Sequence, residues 1–187
     1  MRRPTAREIL ADSFRELAAH SSIDKITIRA ITDNCGYSPA TFYRQFKDKY
    51  DLIAWDYTRE VGRIMDRVGV DGYPWRQTLL EGARYLWAQR DYLANLLTHT
   101  SGLDSFIDHM TQANCAHLRA CVCAAAGTDS LEPLIERSIR IYCLGTVHLF
   151  SEWILGGFSA TPEEMATVFE QALPDSLRPY LCQIRDV

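Results

Sequence analysis

Apolar residues recur every three or four positions along most of the chain, which is the spacing of amphipathic helices. The pattern runs through 5–20, 49–68, 74–90, 131–156 and 161–173, with shorter segments between them. No stretch shows the period-two alternation of a strand bounded by hairpin turns. The pattern predicts an all-α fold of about nine helices.

The stretch 27–52 carries the clearest local signals. Thr27 is placed to cap a helix in which Ile28 and Ile31 share one face. Gly36 is suited to end that helix, because glycine tolerates the left-handed conformation of a C-cap. Ser38 then offers a capping hydroxyl, and a proline follows it at the first helical position. The sequence predicts a helix, a tight turn and a second helix over 38–46.

The second helix has one apolar face and one polar face. Phe42 and Phe46 are four residues apart and are predicted to point inward. The outer face presents small, hydroxyl and guanidinium groups, from Ala40, Thr41 and Arg44. Such a helix fits the major groove of B-form DNA, about 12 Å wide, where arginine pairs with guanine and methyl groups contact thymine.

Charged and hydroxyl groups surround this outer face. Lys47 and Lys49, with the hydroxyls of Thr27 and Tyr43, are suited to contact phosphates, which fix register without reading sequence. Asp48 is predicted to cap the next helix, so that Lys49 lies in its first turn.

The stretch resembles the TetR family of bacterial transcription regulators. The residues that match at the family's spacing are Thr27, Ile31, Gly36, Ser38, Thr41, Tyr43, Arg44, Phe46, Lys49 and Leu52. The resemblance implies backbone contacts from Thr27, Thr41, Tyr43 and Lys49, base contacts from 39–44, and a homodimer. The full predicted DNA-binding set is Thr27, Arg29, Tyr37, Ser38, Pro39, Ala40, Thr41, Tyr43, Arg44, Lys47 and Lys49.

The chain departs from the family pattern at two places. Tyr37 replaces a small aliphatic residue in the turn, and Pro39 with Ala40 stands where a polar or basic residue is common. Base reading is therefore expected to depend on Arg44, Thr41 and apolar contacts. The segments 46–52 and 142–165 resemble the branch that includes regulators of dihydroxyacetone kinase operons. That similarity assigns no effector.

Charge is distributed unevenly along the chain. The net charge is -4, but residues 1–50 carry nine Lys and Arg against six Asp and Glu, a charge of +3. Residues 51–187 carry eleven against eighteen, a charge of -7. The asymmetry favours DNA contact at the N-terminal end alone. We therefore predict a DNA-binding domain at 1–50 and a helical effector-binding and dimerisation domain at 51–187.

The remaining composition argues for a cytoplasmic protein without a cofactor. The longest charge-free run, 92–103, is too short for a membrane span, which needs about 20 residues. The six cysteines form no Cys-x-x-Cys pair, and reduced, buried thiols are expected. Cys115, Cys121, Cys123 and His117 leave a metal site or thiol sensor as an alternative, against ordinary burial.

The second half of the chain has two candidate surfaces. Aromatic side chains suggest a cavity for a small-molecule effector, with ordinary core packing as the alternative. The candidates to line this cavity are Trp87, Tyr92, Leu96, Phe106, Met110 and Tyr142. The last two long helices are expected to pair with a second copy, with a wholly intramolecular core as the alternative. The candidate dimer contacts are Ile141, Leu144, His148, Leu149, Trp153 and Phe169.

An enzyme is the weaker interpretation. Isolated histidines, no glycine-rich phosphate loop and no Gly-x-Ser-x-Gly elbow leave no catalytic or metal-binding motif. A helical scaffold that binds other proteins is the stronger rival, although it does not require hydroxyl and basic groups grouped on one short helix. The interpretation is a dimeric regulator that binds a palindromic DNA operator, with a small-molecule effector as a candidate partner.

Overall fold

The computed structural model describes residues 3–68, 73–100 and 105–182. Within these ranges every regular element is helical, which confirms the all-α fold. The α-helices are α1 (Ala6–Ala18), α2 (Ile28–Cys35), α3 (Pro39–Tyr43), α4 (Lys49–Met65), α5 (Trp75–Ala88), α6 (Arg90–His99), α7 (Phe106–Ala126), α8 (Pro133–Ile154), α9 (Pro162–Gln171) and α10 (Arg178–Leu181). A short 3-10 helix, η1 (Ile23–Lys25), joins α1 to α2.

The sequence pattern missed η1 and α10, because three or four residues are too few to show a period. The apolar spacing is interrupted at 69–73, and a polar cluster at 98–102 predicts a loop; both segments lie mostly outside the described residues.

Most helix ends follow the predicted capping chemistry. Thr5 with Glu8, and Thr161 with Glu164, have the Thr-x-x-Glu spacing that predicts a capping box, and both pairs form reciprocal boxes at the starts of α1 and α9. Gly36 ends α2 with φ 74°, in the left-handed region that glycine adopts at little cost. The sequence places Ser105 at the N-cap of α7, and the structure has it in that position, but its hydroxyl makes no cap hydrogen bond. The Thr100 hydroxyl, 2.9 Å away, accepts the first amide of that helix instead.

Helices α1, α2 and α3 with η1 form an N-terminal unit around a small apolar core. The residues buried in this core include Phe14, Ile31, Phe42 and Phe46. Burial of the last two confirms the predicted inward orientation of their phenyl rings. The rings of Phe42 and Phe46 pack with their centroids 5.7 Å apart. Burying each ring stabilises the unit by about 1.5–3 kcal/mol relative to an exposed ring, so the outer face of α3 has a rigid support.

Helix α4 belongs to both halves of the molecule. Asp48 caps its first turn by accepting the amides of Tyr50 and Asp51. The helix packs on α1 near its start, and farther along it packs on α5 and α7 of the helical body, which consists of α5–α10. Gly62 permits the close approach to α7, because an added Cβ would lie 3.1 Å from the His117 ring. The N-terminal unit is therefore mounted on a helix whose other end is buried in the body.

A polar cluster, here called the junction cluster, joins α1, α4 and the start of α6. It centres on Asp56, whose side chain is only 2% exposed. Arg15 on α1 donates to one Asp56 oxygen at 2.6 Å, and Arg59 donates to the other at 2.9 Å. Arg15 also donates to Gln89 and lies over the ring of Tyr92. Burial opposes the charge on Arg15, but the Asp56 carboxylate raises the pKa of the guanidinium.

Asn95 of α6 makes a second connection between the body and the N-terminal unit. Its amide nitrogen donates to the carbonyls of Ala18 at 2.9 Å and Ser21 at 2.8 Å. Its amide oxygen accepts the backbone amide of Ile23 at 3.2 Å. One side chain thus satisfies three backbone groups where α1 ends and η1 begins, which fixes this corner on the body.

Asp56→Ala should destabilise the protein by about 2–4 kcal/mol. Removing the carboxylate leaves Arg15 and Arg59 as partly buried charges without compensation, and such losses are typically 3–5 kcal/mol before the partial exposure of Arg15 is considered. Urea unfolding followed by circular dichroism measures the change. Glu163→Ala, which breaks the exposed pair with Arg84, is the matched control and should move the midpoint far less. Equal shifts for the two variants would show that the junction cluster is not a structural connection.

Candidate nucleic-acid interface

Helix α3 is short, about one and a half turns, and lies on the surface of the N-terminal unit. It spans Pro39–Tyr43, so it is shorter than the 38–46 helix expected from the sequence. Ser38 caps it by accepting the amide of Thr41 at 3.2 Å. Phe46 then reaches the core from the turn that follows the helix rather than from the helix itself. The predicted inward position was right although the predicted helix was too long.

The outer face of α3 holds a connected set of polar groups. The hydroxyls of Ser38 and Thr41 lie 3.1 Å apart, and the Arg44 guanidinium donates to the Thr41 hydroxyl at 3.1 Å. Tyr43 projects beside them with 61% of its surface exposed. The Thr41 bond restrains the Arg44 side chain near the helix while leaving further guanidinium donors free. This arrangement can offer an arginine fork and hydroxyls to a base edge at low entropic cost.

Basic side chains flank α3 on both sides in sequence. Arg29 is strongly exposed and lies 3.5 Å from Asp33, a contact of little energetic weight in water. Lys47 is exposed and forms no ion pair with any residue that the structure describes. Thr27 is exposed as well, and its hydroxyl accepts the amide of Ala30 as the cap of α2. Arg29 and Lys47 are thus available to contact an anion.

Lys49 forms hydrogen bonds within the chain that the sequence did not predict. Its ammonium group donates to the carbonyls of Ile23, Asp24 and Ile26 at 2.8, 3.2 and 3.1 Å. An ammonium has three donors, so all of them are used within the chain. Burial lowers the pKa of Lys49. A phosphate contact through this side chain stays a prediction and would have to compete with these three bonds, by which Lys49 holds η1 against the start of α4.

The two positions that depart from the family pattern have separate places in the structure. Pro39 and Ala40 are exposed on the first turn of α3 and leave a low, apolar surface there. Tyr37 is half-buried and packs against the apolar core, and its amide donates to the Thr32 carbonyl at 2.9 Å. Tyr37 thus stiffens the turn between α2 and α3 as well as lying beside the candidate surface.

A cavity of about 120 Å³ lies in the helical body between α4, α5, α7 and α8. Met110 and Tyr142 line it, as expected. Trp87 does not, because it stacks on Trp153 with ring centroids 4.4 Å apart. The other three expected lining residues are also misplaced: Tyr92, Leu96 and Phe106 pack in the core beside the junction cluster.

The cavity has a different wall from the one that aromatic residues suggested. Residues that sequence reasoning missed include Tyr57, Thr78 and Asn114 from three different helices. The apolar pattern of each helix, taken alone, predicts only that these residues face inward. No pattern within one helix shows that these side chains leave space between them, because the space is set by how the helices cross.

The predicted dimer contacts divide into exposed and buried groups. Ile141 is 68% exposed on α8, with Leu144 and His148 also exposed on that helix and Leu149 half-buried. Trp153 and Phe169 are 1% and 8% exposed, so assigning them to an intermolecular contact was wrong. Their helical positions face the body. Exposed apolar residues that the prediction omitted are Leu134, Leu155 and Val168.

Other candidate chemistry finds little support in the described residues. Within 3–68, 73–100 and 105–182, no group of three or more His, Cys, Asp or Glu is arranged to hold a metal ion. Burial raises the pKa of the Cys121 thiol to about 11 and raises the pKa of Cys143 further. Such thiols are mostly protonated near neutral pH and are poor nucleophiles. The described helices include none long and apolar enough to cross a membrane.

Comparison with known proteins identifies the N-terminal part. Residues 10–54 match the family model described as "Bacterial regulatory proteins, tetR family". No curated protein sequence matches the chain.

Solved structures share the fold over nearly the whole chain. "Dihydroxyacetone kinase operon activator DhaS" is 17% identical with a TM-score of 0.66, covering 94% of this chain and 98% of its own. A TetR regulator from Rhodococcus sp. RHA1 is 18% identical with a TM-score of 0.66, covering 92% and 95%. The TetR family repressor AlkX from Dietzia sp. strain DQ12-45-1b is 16% identical with a TM-score of 0.57, covering 97% and 100%.

The family match covers the helix-turn-helix whose exposed face was described above, and the structural likeness extends the fold through the body. This chain is therefore TetR-like: a helix-turn-helix domain that matches the TetR family model at residues 10–54 is followed by a helical body that shares the fold of TetR-family structures.

Proposed function

We propose that this protein binds a two-fold symmetric DNA operator as a homodimer, with α3 of each protomer in one of two successive major grooves. The observation that carries the proposal is the short α3, which projects Arg44, Thr41 and Ser38 from a rigid apolar support. Two such helices need a separation of about 34–36 Å to enter adjacent grooves. Residues 1–50 form the DNA-binding domain in this proposal, and residues 51–187 form the effector-binding and dimerisation domain.

The contacts fall into two classes by their chemistry. Arg44 and Thr41, with the low surface of Pro39 and Ala40, are assigned to base edges in the major groove. Exposed groups around them are assigned to phosphates, through Thr27, Arg29, Tyr43 and Lys47. Phosphate contacts position the protein and base contacts supply specificity, so the two classes should respond differently to substitution.

The homodimer is assigned to the exposed side of α8 with α9. Ile141, Leu144 and His148 are exposed on α8, and Leu134 adds an apolar side chain that is 64% exposed near the start of the same helix. Gly145 lies between Leu144 and Thr146, and no atom lies within 4 Å of a Cβ added there. This bare position would let a second helix approach closely. Pairing would remove a stripe of apolar surface from water.

Ligand control is assigned to α4. This helix carries Tyr57 and Val61 of the cavity wall, and on its other side it carries Asp56 of the junction cluster. A ligand that fits only one arrangement of α4 would shift the dimer toward or away from the groove spacing. The Asp56 and Asn95 contacts would carry that shift to the N-terminal unit, since they fasten α1 and η1 to the moving elements.

The proposed role is binding and not catalysis. The titratable groups of the junction cluster are paired with one another, and the cavity wall holds no Asp, Glu, His, Lys or Arg. Burial raises the pKa of the Tyr57, Tyr142 and Cys143 side chains in that wall, which favours their protonated forms. General acid–base catalysis needs a side chain that can gain or lose a proton within reach of the substrate. We place the protein in the cytoplasm, where a bacterial operator is accessible.

Selection of bound fragments from random or genomic DNA tests the proposal. The expected product is a palindrome whose half-sites are about one helical turn apart. Enrichment of single, non-repeated sites would contradict the dimeric arrangement, and no salt-sensitive DNA binding at all would overturn the function.

Arg44→Ala should weaken binding to the selected operator by about 1–3 kcal/mol and relax specificity at one base position, because a bidentate guanine contact is lost. Lys47→Ala is the control for a phosphate contact. It should weaken binding to all sequences and reduce the slope of log K against log salt by about one. Fluorescence anisotropy at several salt concentrations measures both. Identical profiles for the two variants would contradict the assignment of Arg44 to bases.

Lys49→Met should lower the melting temperature, because the aliphatic stem remains while the carbonyls of Ile23, Asp24 and Ile26 lose their donor. Lys47→Met removes the same charge two residues away without breaking a bond and should leave the melting temperature nearly unchanged. If Lys49→Met instead preserved stability and lowered only the salt slope, Lys49 would be a phosphate contact after all.

Ile141→Asp should convert the dimer to a monomer, since it places a charge in the centre of the proposed apolar contact. The residue is exposed within the chain, so the fold should survive. Analytical ultracentrifugation and circular dichroism measure assembly and folding separately. Val168→Asp is the companion on α9. A dimer that withstands both substitutions would place the interface elsewhere.

A further inference from the structure

The cavity of the helical body has walls without any charged side chain. Its lining is made of apolar and aromatic residues together with a few neutral polar groups, and it contains no Asp, Glu, Lys, Arg or His. An ion transferred there would lose its hydration with no partner to replace it. The wall therefore selects against carboxylates, phosphates and amines.

Two polar groups in this wall have no hydrogen-bond partner among the described residues: the indole N–H of Trp75 and the hydroxyl of Thr78, both on α5. The Thr78 side chain is on α5, the residue is 2% exposed, and its hydroxyl makes no hydrogen bond with any described residue. Threonines elsewhere in these helices avoid that cost. Thr58, Thr111 and Thr146 each donate to the carbonyl four residues earlier at 2.8, 2.9 and 2.8 Å. Thr78 is thus a buried hydroxyl that a bound molecule could satisfy.

A further neutral polar group faces the cavity from α7. The amide nitrogen of Asn114 donates to the Tyr57 hydroxyl and to the Met110 carbonyl, both at 2.8 Å. These two bonds fix the orientation of the side chain and use both of its donors. Its oxygen accepts no hydrogen bond among the described residues, so the wall offers one more acceptor.

Size sets the second limit on a ligand. The volume is about 120 Å³, and an apolar protein cavity of about 150 Å³ accepts benzene. A molecule of about six to eight non-hydrogen atoms fits that space. A larger hydrophobe would have to displace buried side chains such as Phe150 or Val147, or extend out of the cavity through its open side.

We propose that the cavity binds a small neutral molecule, mainly hydrocarbon, that carries a single hydroxyl or carbonyl oxygen and pairs that oxygen with Thr78. The inference rests on the proposed ligand control and names the chemical class of the effector. Simple phenols, alicyclic alcohols and cyclic ketones belong to this class. Sugars and polyols do not, because most of their hydroxyls would find no partner in the apolar wall.

Binding of three matched probes to the full-length protein tests the inference. Phenol has the ring and one hydroxyl, benzene has the ring alone, and benzoate carries a charge at neutral pH. Calorimetry and protein NMR should show saturable binding of phenol, weaker binding of benzene and no binding of benzoate. Binding of benzoate at the same site, or of none of the three, would overturn the inference.

Thr78→Val isolates the hydroxyl. The side chain keeps its shape, so the variant should fold, and its melting temperature should rise because an unsatisfied buried hydroxyl is removed. Phenol affinity should fall about 3- to 10-fold, while benzene affinity should be kept. Thr146→Val is the control in the same wall, since that hydroxyl is already bonded within α8; it should not alter the preference for phenol over benzene. An equal loss of phenol affinity in the two variants would overturn the role of Thr78.

Operator binding is measured in a separate experiment, so that failure of the proposed ligand class can be distinguished from failure of the proposed DNA-binding function. Thr78-dependent binding of phenol with no change in operator affinity would support the ligand class and contradict ligand control. Operator binding by a protein that takes up no probe would leave the DNA function standing and overturn the ligand class.

Discussion

Asp56 has almost no contact with water, and its carboxylate can stay charged at low cost only while Arg15 and Arg59 hold it from two helices. This requirement joins α1 of the N-terminal unit to α4, because moving either guanidinium away would leave the buried Asp56 carboxylate with too little compensating charge. Arg15 extends the connection by donating to Gln89 at the start of α6. The position of the DNA-binding domain on the body therefore depends on a polar contact that tolerates few geometries.

The same connection explains how one helix can serve two purposes. Along α4 the buried residues on one side, Tyr57 and Val61, face the cavity, while Asp56 faces the junction cluster. A change in packing at the cavity would rotate or shift the helix as a rigid element. The first turn of α4 follows directly after the turn that carries Phe46, so such a shift reaches the support of α3 without an intervening flexible segment.

Positive charge in the N-terminal unit has both structural and binding roles. Lys49 donates hydrogen bonds to carbonyl groups at η1, and Arg15 balances the charge of the buried Asp56 carboxylate. In this structure both cations are therefore engaged within the chain. Arg29, Arg44 and Lys47 stay exposed around α3, and Arg3 and Lys25 are exposed elsewhere in residues 1–50. Counting charges along the sequence overestimates the positive charge that is available to DNA. The count does not distinguish a cation that is bonded within the protein from one that is exposed to a ligand.

The sequence by itself determined the helical fold, the helix-turn-helix at 27–46, both capping boxes and the inward position of Phe42 and Phe46, because these depend on neighbours within a few turns. It also identified the chemistry on the outer face of α3. Only the tertiary structure decided that Lys49 is consumed by η1, that Trp153 and Phe169 belong to the core, and that Thr78 rather than Trp87 faces the cavity. Those outcomes depend on how distant helices cross, and a periodic pattern reports which face of a helix is buried but not what buries it.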